Sequence, residues 1–208
     1  MQPDPLRRTP VQARSAERVQ RMLDACAALI VEMGYEQVTT TLIARRAKVA
    51  IGSLYQFFPD KTAVASALVG RNVERYLDEL GKRLADAPPV QWWEAVDTAL
   101  DLYVELHHSD DGFRALHFGD VVDVHLLDRA HDNSGQDNNA VIAERLGGLL
   151  QERFGLGGGR PLMLALMVAV ETADALLKLA FRLDPEEEAL VVAQAKGVIR
   201  GYLAQHLG

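Results

Sequence analysis

Between its prolines and glycines this chain repeats apolar residues at three- and four-residue steps, and no segment alternates apolar with polar as a half-buried strand does. A chain patterned this way throughout folds as helices on helices, so the fold class is all-α. Val19, Met22, Leu23, Cys26, Leu29, Ile30 and Met33 predict a helix over 15–33, with Ser15 as N-cap and Gly34 closing it in the left-handed conformation. Thr39 or Thr40 caps a two-turn helix that turns Leu42, Ile43 and Ala47 inward, and a second short helix runs from about Ile51 to Phe57. Pro59 and Asp60 restart the chain as a long helix over 61–86, stopped by Pro88 and Pro89. Further helices are expected from Trp92 to about His107, once or twice across 113–130, from Val141 to Phe154, over 161–183 and over 185–207. HDNSGQDNN at 131–139 reads as a polar loop and GLGGG at 155–159 as a break. The 161–183 helix is apolar nearly all round, so the core or another subunit must cover it. Glu186, Glu187 and Glu188 stand at the positive start of the last helix.

With 49% hydrophobic and 25% charged residues, the 208-residue chain falls in the globular class rather than the disordered or fibrous ones. The longest apolar run, Leu162 to Val170, is too short to span a bilayer, and MQPDPLRRTP lacks the apolar core of a signal peptide. The expectation is a cytoplasmic protein without a membrane partner. A single cysteine, Cys26 among alanines, excludes an internal disulfide and a cysteine-based zinc site and reads as a small core residue. The net charge of −7 argues against a polyanion partner, but it is unevenly spread. Residues 1–61 hold nine Lys and Arg against six Asp and Glu, while the remaining 147 hold 13 bases and 23 acids. A small basic head on an acidic body suggests two jobs.

The head contains AKVAIGSLYQFFPDK, residues 47–61. Two short helices with the second beginning at Ile51 have helix-turn-helix spacing, in which the first braces the second and the second enters a major groove. Val49, Leu54 and Phe58 are spaced to face inward, leaving Ser53, Tyr55, Gln56 and Phe57 outward. The Tyr55 hydroxyl suits a phosphate, Lys61 begins a helix where an anion is attracted, and Thr39, Thr40 and Thr41 add hydroxyls at another helix start.

From Gly34-Tyr35 through TTTLIARRAKV to the pattern Gly-x-Leu-Tyr-x-x-Phe-x-x-Lys at 52–61, and on into the long fourth helix, the chain resembles TetR-type transcriptional repressors. The resemblance implies a three-helix DNA-binding domain over residues 1–60 and a larger ligand-binding and dimerisation domain over 61–208. It further implies a homodimer on a palindromic double-stranded DNA operator, released by a small-molecule inducer, with the helix at 61–86 as the lever. Thr40, Tyr55 and Lys61 fall at positions that contact phosphate, and Thr41, Ile51, Gly52, Ser53 and Phe57 at positions that face bases, with Gln56 on the same outer side. Two departures stand out: Lys48 occupies the usual turn glycine, and Ala50 the usual Ser or Thr cap. Each weakens the turn by about 1 kcal/mol, and Lys48 can compensate by reaching phosphate. So few hydrogen-bonding readers leave methyl contacts and DNA shape to carry specificity, and Arg7, Arg8 and Arg14 of the N-terminal arm add backbone or minor-groove contacts.

Five of the six histidines, His107, His108, His117, His125 and His131, sit in the body among aspartates. No HExxH, no His pair at i, i+4 and no Gly-x-Ser-x-Gly accompanies them, so neither a metal, a cofactor nor an enzyme is expected. A ligand cavity fits better, with Trp92, Trp93, Tyr103, Phe113, Phe118, Met163 and Met167 as apolar walls and His117, Asp120, Asp123 or Glu171 as orienting groups. Each of those apolar residues also reads as ordinary core. In the family the helices at 161–183 and 185–207 form the homodimer interface. Ala180, Gly197, Gly201 and Ala204 permit close helix approach either there or within one subunit. The competing readings are a helical small-molecule-binding or catalytic protein, and a DNA-binding activator without ligand-induced release.

Overall fold

The computed structural model describes residues 13–117, 138–156 and 159–207. Among these the regular elements are all helical: α1 (Ala13–Met33), a 3-10 turn (Tyr35–Gln37), α2 (Thr40–Arg46), α3 (Ile51–Phe57), α4 (Lys61–Asp86) and α5 (Trp92–Ser109). They continue with α6 (Asp111–Ala115), α7 (Asn138–Phe154), α8 (Arg160–Ala180) and α9 (Pro185–Leu207). The expected bounds of α3, α4 and α9 match these residue for residue; the starts of α4 and α9 are marked by an aspartate and a proline, that of α3 by helix-turn-helix spacing alone. Of the stretch 113–130, α6 covers the beginning and residues beyond His117 lie outside the described set, as do 131–137.

α1 is already helical at Ala13, so Ser15 lies within it and is not its N-cap, and two further boundaries differ from expectation. Asn138 and Asn139, expected in a loop, open α7, and Asn139 is buried with its Nδ2 donating to Glu171 Oε1 at 3.1 Å. A polar residue can be buried when it has such a partner, which composition alone does not reveal. α8 stops at Ala180 rather than 183, because the chain turns through Phe181–Leu183 into Asp184. The Asp184 carboxylate then accepts from the Glu186 and Glu187 amides, both at 3.0 Å, and starts α9.

The chain forms two compact units. One holds the described residues up to Asn72 and from Leu106 to His117. Here α1 packs on α2 and α6, α2 packs on α3, and Met22, Ile43, Leu54, Phe58, Leu68 and Phe113 are fully buried. The start of α4 is tied to its neighbours by polar contacts. Arg71 Nη1 donates to Asp24 Oδ1 at 2.6 Å and Gln20 Oε1 at 3.0 Å of α1, and buried Asn72 Nδ2 donates to the Gly112 carbonyl of α6 at 2.8 Å. A Cβ on Gly112 would stand 2.8 Å from Asp110 Oδ1, so only glycine fits beneath this link.

The other unit holds Val73–Glu105 and the described residues from Asn138 onward. α8 packs on α7 and α9, with Leu80, Leu102, Leu166 and Leu203 fully buried. The Tyr76 hydroxyl donates to the Ala99 carbonyl at 3.0 Å, and its ring meets Tyr103 edge-on. Lys196 and Arg200 of α9 pair with Asp101 and Asp97 of α5. Leu164, Val168 and Leu179 of α8 and Leu190 and Val198 of α9 remain exposed, so one copy of the chain does not cover the apolar α8 on its own. Among the described residues no helix is long and apolar enough to cross a membrane.

The turn into α3 carries the two weaknesses read from the sequence. Lys48 has φ 55°, the one positive value among described non-glycine residues, and Ala50 caps α3 without a side-chain hydrogen bond. α2, by contrast, is capped by Thr39 Oγ1, which accepts from the Leu42 amide at 3.2 Å. Lys48→Gly with Ala50→Ser therefore raises the melting temperature by a few degrees, from about 1 kcal/mol or more of relieved strain and added capping. A thermal melt of the double variant beside the wild type measures it, and a fall contradicts the reading of this turn.

Candidate nucleic-acid interface and ligand cavity

α3 is seven residues long and is held by what it buries. Leu54 and Phe58 are fully buried, as their spacing predicts, but Phe57 is 4% exposed and faces inward as well. Phe57, expected on the base-facing side, is therefore an anchor: at i, i+3 and i+4, Leu54, Phe57 and Phe58 form one apolar stripe. Ser53 is only partly exposed, and its Oγ is buried without a hydrogen-bond partner. What remains outward on α3 is Ile51, Gly52, Tyr55 and Gln56.

The expected phosphate contacts converge. Thr40 Oγ1 and the Tyr55 hydroxyl lie 3.0 Å apart, joining the start of α2 to the outer face of α3. One hydroxyl donates to the other, so the second keeps its proton for an outside acceptor. Lys61 Nζ donates to the Tyr35 and Glu36 carbonyls at 3.2 and 3.3 Å and lies 4.5 Å over the Tyr35 ring. That engages two of the three ammonium donors and leaves the third. The amide of Ala63 is taken by Asp60 Oδ1 at 2.8 Å, so the α4 start is capped from within. Thr41 and Lys48 are exposed, and Lys48 and Arg45 have no ion pair with any described residue, whereas Arg46 is forked onto Glu32 at 2.8 and 2.6 Å. Arg7 and Arg8 lie outside the described residues, as does the Arg14 side chain.

The ligand candidates scatter. Phe118, Asp120 and Asp123 lie outside the described residues. Tyr103 and Phe113 are buried core, Trp92 and Trp93 stack edge-on, and the Arg200 guanidinium lies 5.7 Å over Trp93. Met167 is half-buried, and Glu171 accepts from Asn139. Met163 does line a cavity of about 600 Å³, together with Leu77 and Gly81 of α4, Gly148 and Leu149 of α7, and Leu162 of α8. Sequence reasoning sought aromatic walls and missed this cavity, which is lined by leucines and glycines together with Glu144, Arg145, Gln151 and Glu152. Mid-helix glycines are its signal: Gly81 and Gly148 each weaken their helices by about 1 kcal/mol relative to alanine, and a Cβ on either would meet nothing within 4 Å.

Two titratable groups are buried near α6. Burial pushes the Cys26 thiol up to about 12, which keeps it protonated and inert. His107 is 8% exposed and stacks on His117 with ring centroids 5.6 Å apart. Burial first, then His117 and His108 beside it, pushes the His107 imidazole down from 6.5 to about 4. Because the folded value lies below the unfolded one, the stabilisation is full above about pH 6.5 and is lost as pH falls toward 4. Denaturant midpoints of the wild type fall between pH 7 and pH 5, and His107→Gln flattens that slope. An unchanged slope contradicts the assignment. Among the described residues no group of His, Cys, Asp or Glu side chains could hold a metal ion.

Residues 90–207, more than half of the chain, match the family model described as "Tetracyclin repressor-like, C-terminal domain", and residues 22–68 match "Bacterial regulatory proteins, tetR family". The chain belongs to the TetR family of transcriptional regulators. A TetR-family regulator from Streptomyces coelicolor superposes with a TM-score of 0.76 and 37% identity over 91% of this chain and 99% of that one. The transcriptional repressor KstR of Rhodococcus jostii is 40% identical over 75 residues, 36% of this chain and 35% of KstR. KstR of Mycolicibacterium smegmatis is 44% identical over 59 residues, 28% of this chain and 29% of KstR. The chain thus aligns with about a third of those curated relatives' length. RolR in complex with resorcinol shares the fold at a TM-score of 0.59 and 17% identity.

Proposed function

We propose that this TetR-family regulator is a cytoplasmic repressor that binds a palindromic operator as a homodimer and leaves it when a small molecule occupies the body. Residues 1–60, with Lys61 at the start of α4, provide the DNA contacts, and the rest of 61–208 the ligand and dimer contacts. The observation that carries the reading is the outer face of α3. There the Thr40–Tyr55 hydroxyl pair stands beside the bare backbone of Gly52, with Lys48 and Arg45, which form no ion pair with any described residue, nearby in sequence. Such a surface grips phosphate on its edges and lets the backbone approach bases in the middle.

The dimer reading is supported by the exposed apolar residues of α8 and α9, where Gly197, Gly201 and Ala204 are also exposed. Ala180 is buried within one subunit and serves packing there instead. Two α3 helices about 34 to 36 Å apart engage successive major grooves, and a ligand that favours another separation weakens binding. The cavity beside Met163 is the candidate inducer site.

Gly52 gives a direct test of the DNA reading. No atom lies within 4 Å of a Cβ built there, so Gly52→Ala raises stability by up to about 1 kcal/mol through helix propensity. The same methyl group stands between the backbone and the bases, so affinity for DNA upstream of the protein's own gene falls at least about tenfold. A gel shift and a thermal melt on one preparation measure both. Absence of any sequence-specific shift by the ligand-free wild type overturns the function, and undiminished affinity of Gly52→Ala overturns the close approach.

Gly148 lines the cavity and a Cβ there meets nothing within 4 Å, so Gly148→Leu places a bulky side chain at its wall. It is expected to bind operator DNA within about twofold of wild type while losing release by whichever metabolite of a screened set displaces the wild type. Retained release places the inducer elsewhere.

A further inference from the structure

The outward arc of α3 is narrow and chemically sparse. Ile51, Gly52, Tyr55 and Gln56 span roughly 140° of the helix circumference at about 100° per residue. The Tyr55 hydroxyl is engaged with Thr40, Gly52 has no side chain, and Ile51 offers methyl and methylene groups alone. Gln56 is the remaining member of the arc with a polar side chain, and its carboxamide is hydrogen-bonded to no described residue. Phe57 and the Ser53 hydroxyl, which would have widened the vocabulary, are turned inward. No Arg or Lys lies on the arc, so the bidentate cation–guanine contact has no donor here.

We infer that Gln56 reads an adenine and Ile51 the methyl group of a thymine in each operator half-site, an assignment that rests on the operator-binding reading above. A carboxamide presents one acceptor and two donors side by side, which matches the N6 donor and N7 acceptor of adenine. Guanine, with two acceptors in the major groove, leaves the amide oxygen without a partner. The branched aliphatic tip of Ile51 cannot hydrogen-bond, and the one apolar group on a major-groove edge is the thymine C5 methyl. Five residues of helix rise about 7.5 Å, so with α3 lying along the groove the two contacts fall about two base steps apart. Gly52 lies between them on the arc and lets the helix sink far enough for both.

The test is selection of bound duplexes from a randomised DNA pool by the full-length protein, with wild type, Gln56→Ala, Gln56→Arg and Ile51→Ala in parallel. Both positions are exposed, so folding is preserved in all three variants, and a thermal melt checks it. The wild type is expected to enrich a symmetric site whose half contains an A·T pair that costs about tenfold or more in affinity when replaced. Gln56→Ala loses the preference at that pair and keeps the rest, and Gln56→Arg selects guanine there. In the enriched duplex, thymine→uracil at the partner position, which removes the methyl group alone, weakens the wild type severalfold and leaves Ile51→Ala unchanged. A Gln56→Ala profile identical to wild type, or one weakened equally on every sequence, overturns the adenine assignment, because the first means no contact and the second a backbone contact. A wild type indifferent to uracil at every thymine overturns the methyl assignment. No enrichment by the wild type overturns the operator reading itself, and this assignment with it.

Discussion

The burial of Leu54, Phe57 and Phe58 is the contact on which the DNA-facing surface depends. A seven-residue helix is far below the length at which helices persist unaided. This one also enters from a left-handed lysine and lacks a side-chain cap. Neither propensity nor capping accounts for its order, so tertiary burial must. Three large apolar side chains on one stripe stabilise the head by several kcal/mol, about 1.5 to 3 kcal/mol each, which exceeds the roughly 2 kcal/mol lost at the turn and cap. Because those anchors occupy one side, the residues opposite are fixed in direction. The readable surface of α3 is what the anchors leave over.

That logic explains which parts of the site were legible in the sequence. Helix ends were legible where backbone chemistry marks them: Gly34, Thr39, Pro59 with Asp60, and Pro185. Lys48 and Ala50 were legible as departures because a helix-turn-helix has demanding positions, and both behave as expected. Phe57 was not. Helical spacing, taken with Val49, Leu54 and Phe58 as the inward set, and the family's pattern both placed it outward, whereas the chain buries it on the i, i+3, i+4 stripe with Leu54 and Phe58. The ligand site was hardest to read, since a tryptophan or tyrosine in a helical protein is as often core as wall. Tyr103 and Phe113 proved to be core, while the glycines that open a cavity carry no chemistry of their own.

Ala180 and the apolar α8 show a related limit. A small residue signals close approach but not by which neighbour, and Ala180 is enclosed within its own subunit. The exposed Leu164, Val168, Leu190 and Val198 are the more informative observation, because large apolar side chains left in solvent ask for a partner. In the other unit, the link from Arg71 and Asn72 to α1 and α6 joins the start of α4 and α6 to the three helices of the head. The helix-turn-helix therefore rests on more of the chain than its motif spans.

The central claim is that α3 is formed before DNA arrives, held by its buried stripe. Amide hydrogen exchange of the free protein tests this most directly at Ser53, Leu54 and Phe58, whose amides donate to the Ala50 carbonyl at 2.9 and 3.3 Å and the Leu54 carbonyl at 2.9 Å. Slow exchange at these amides, comparable with that of α2, is the expected result. Exchange at the rate of an unfolded peptide would mean that α3 folds on the operator, and would contradict the account of a surface prepared in advance.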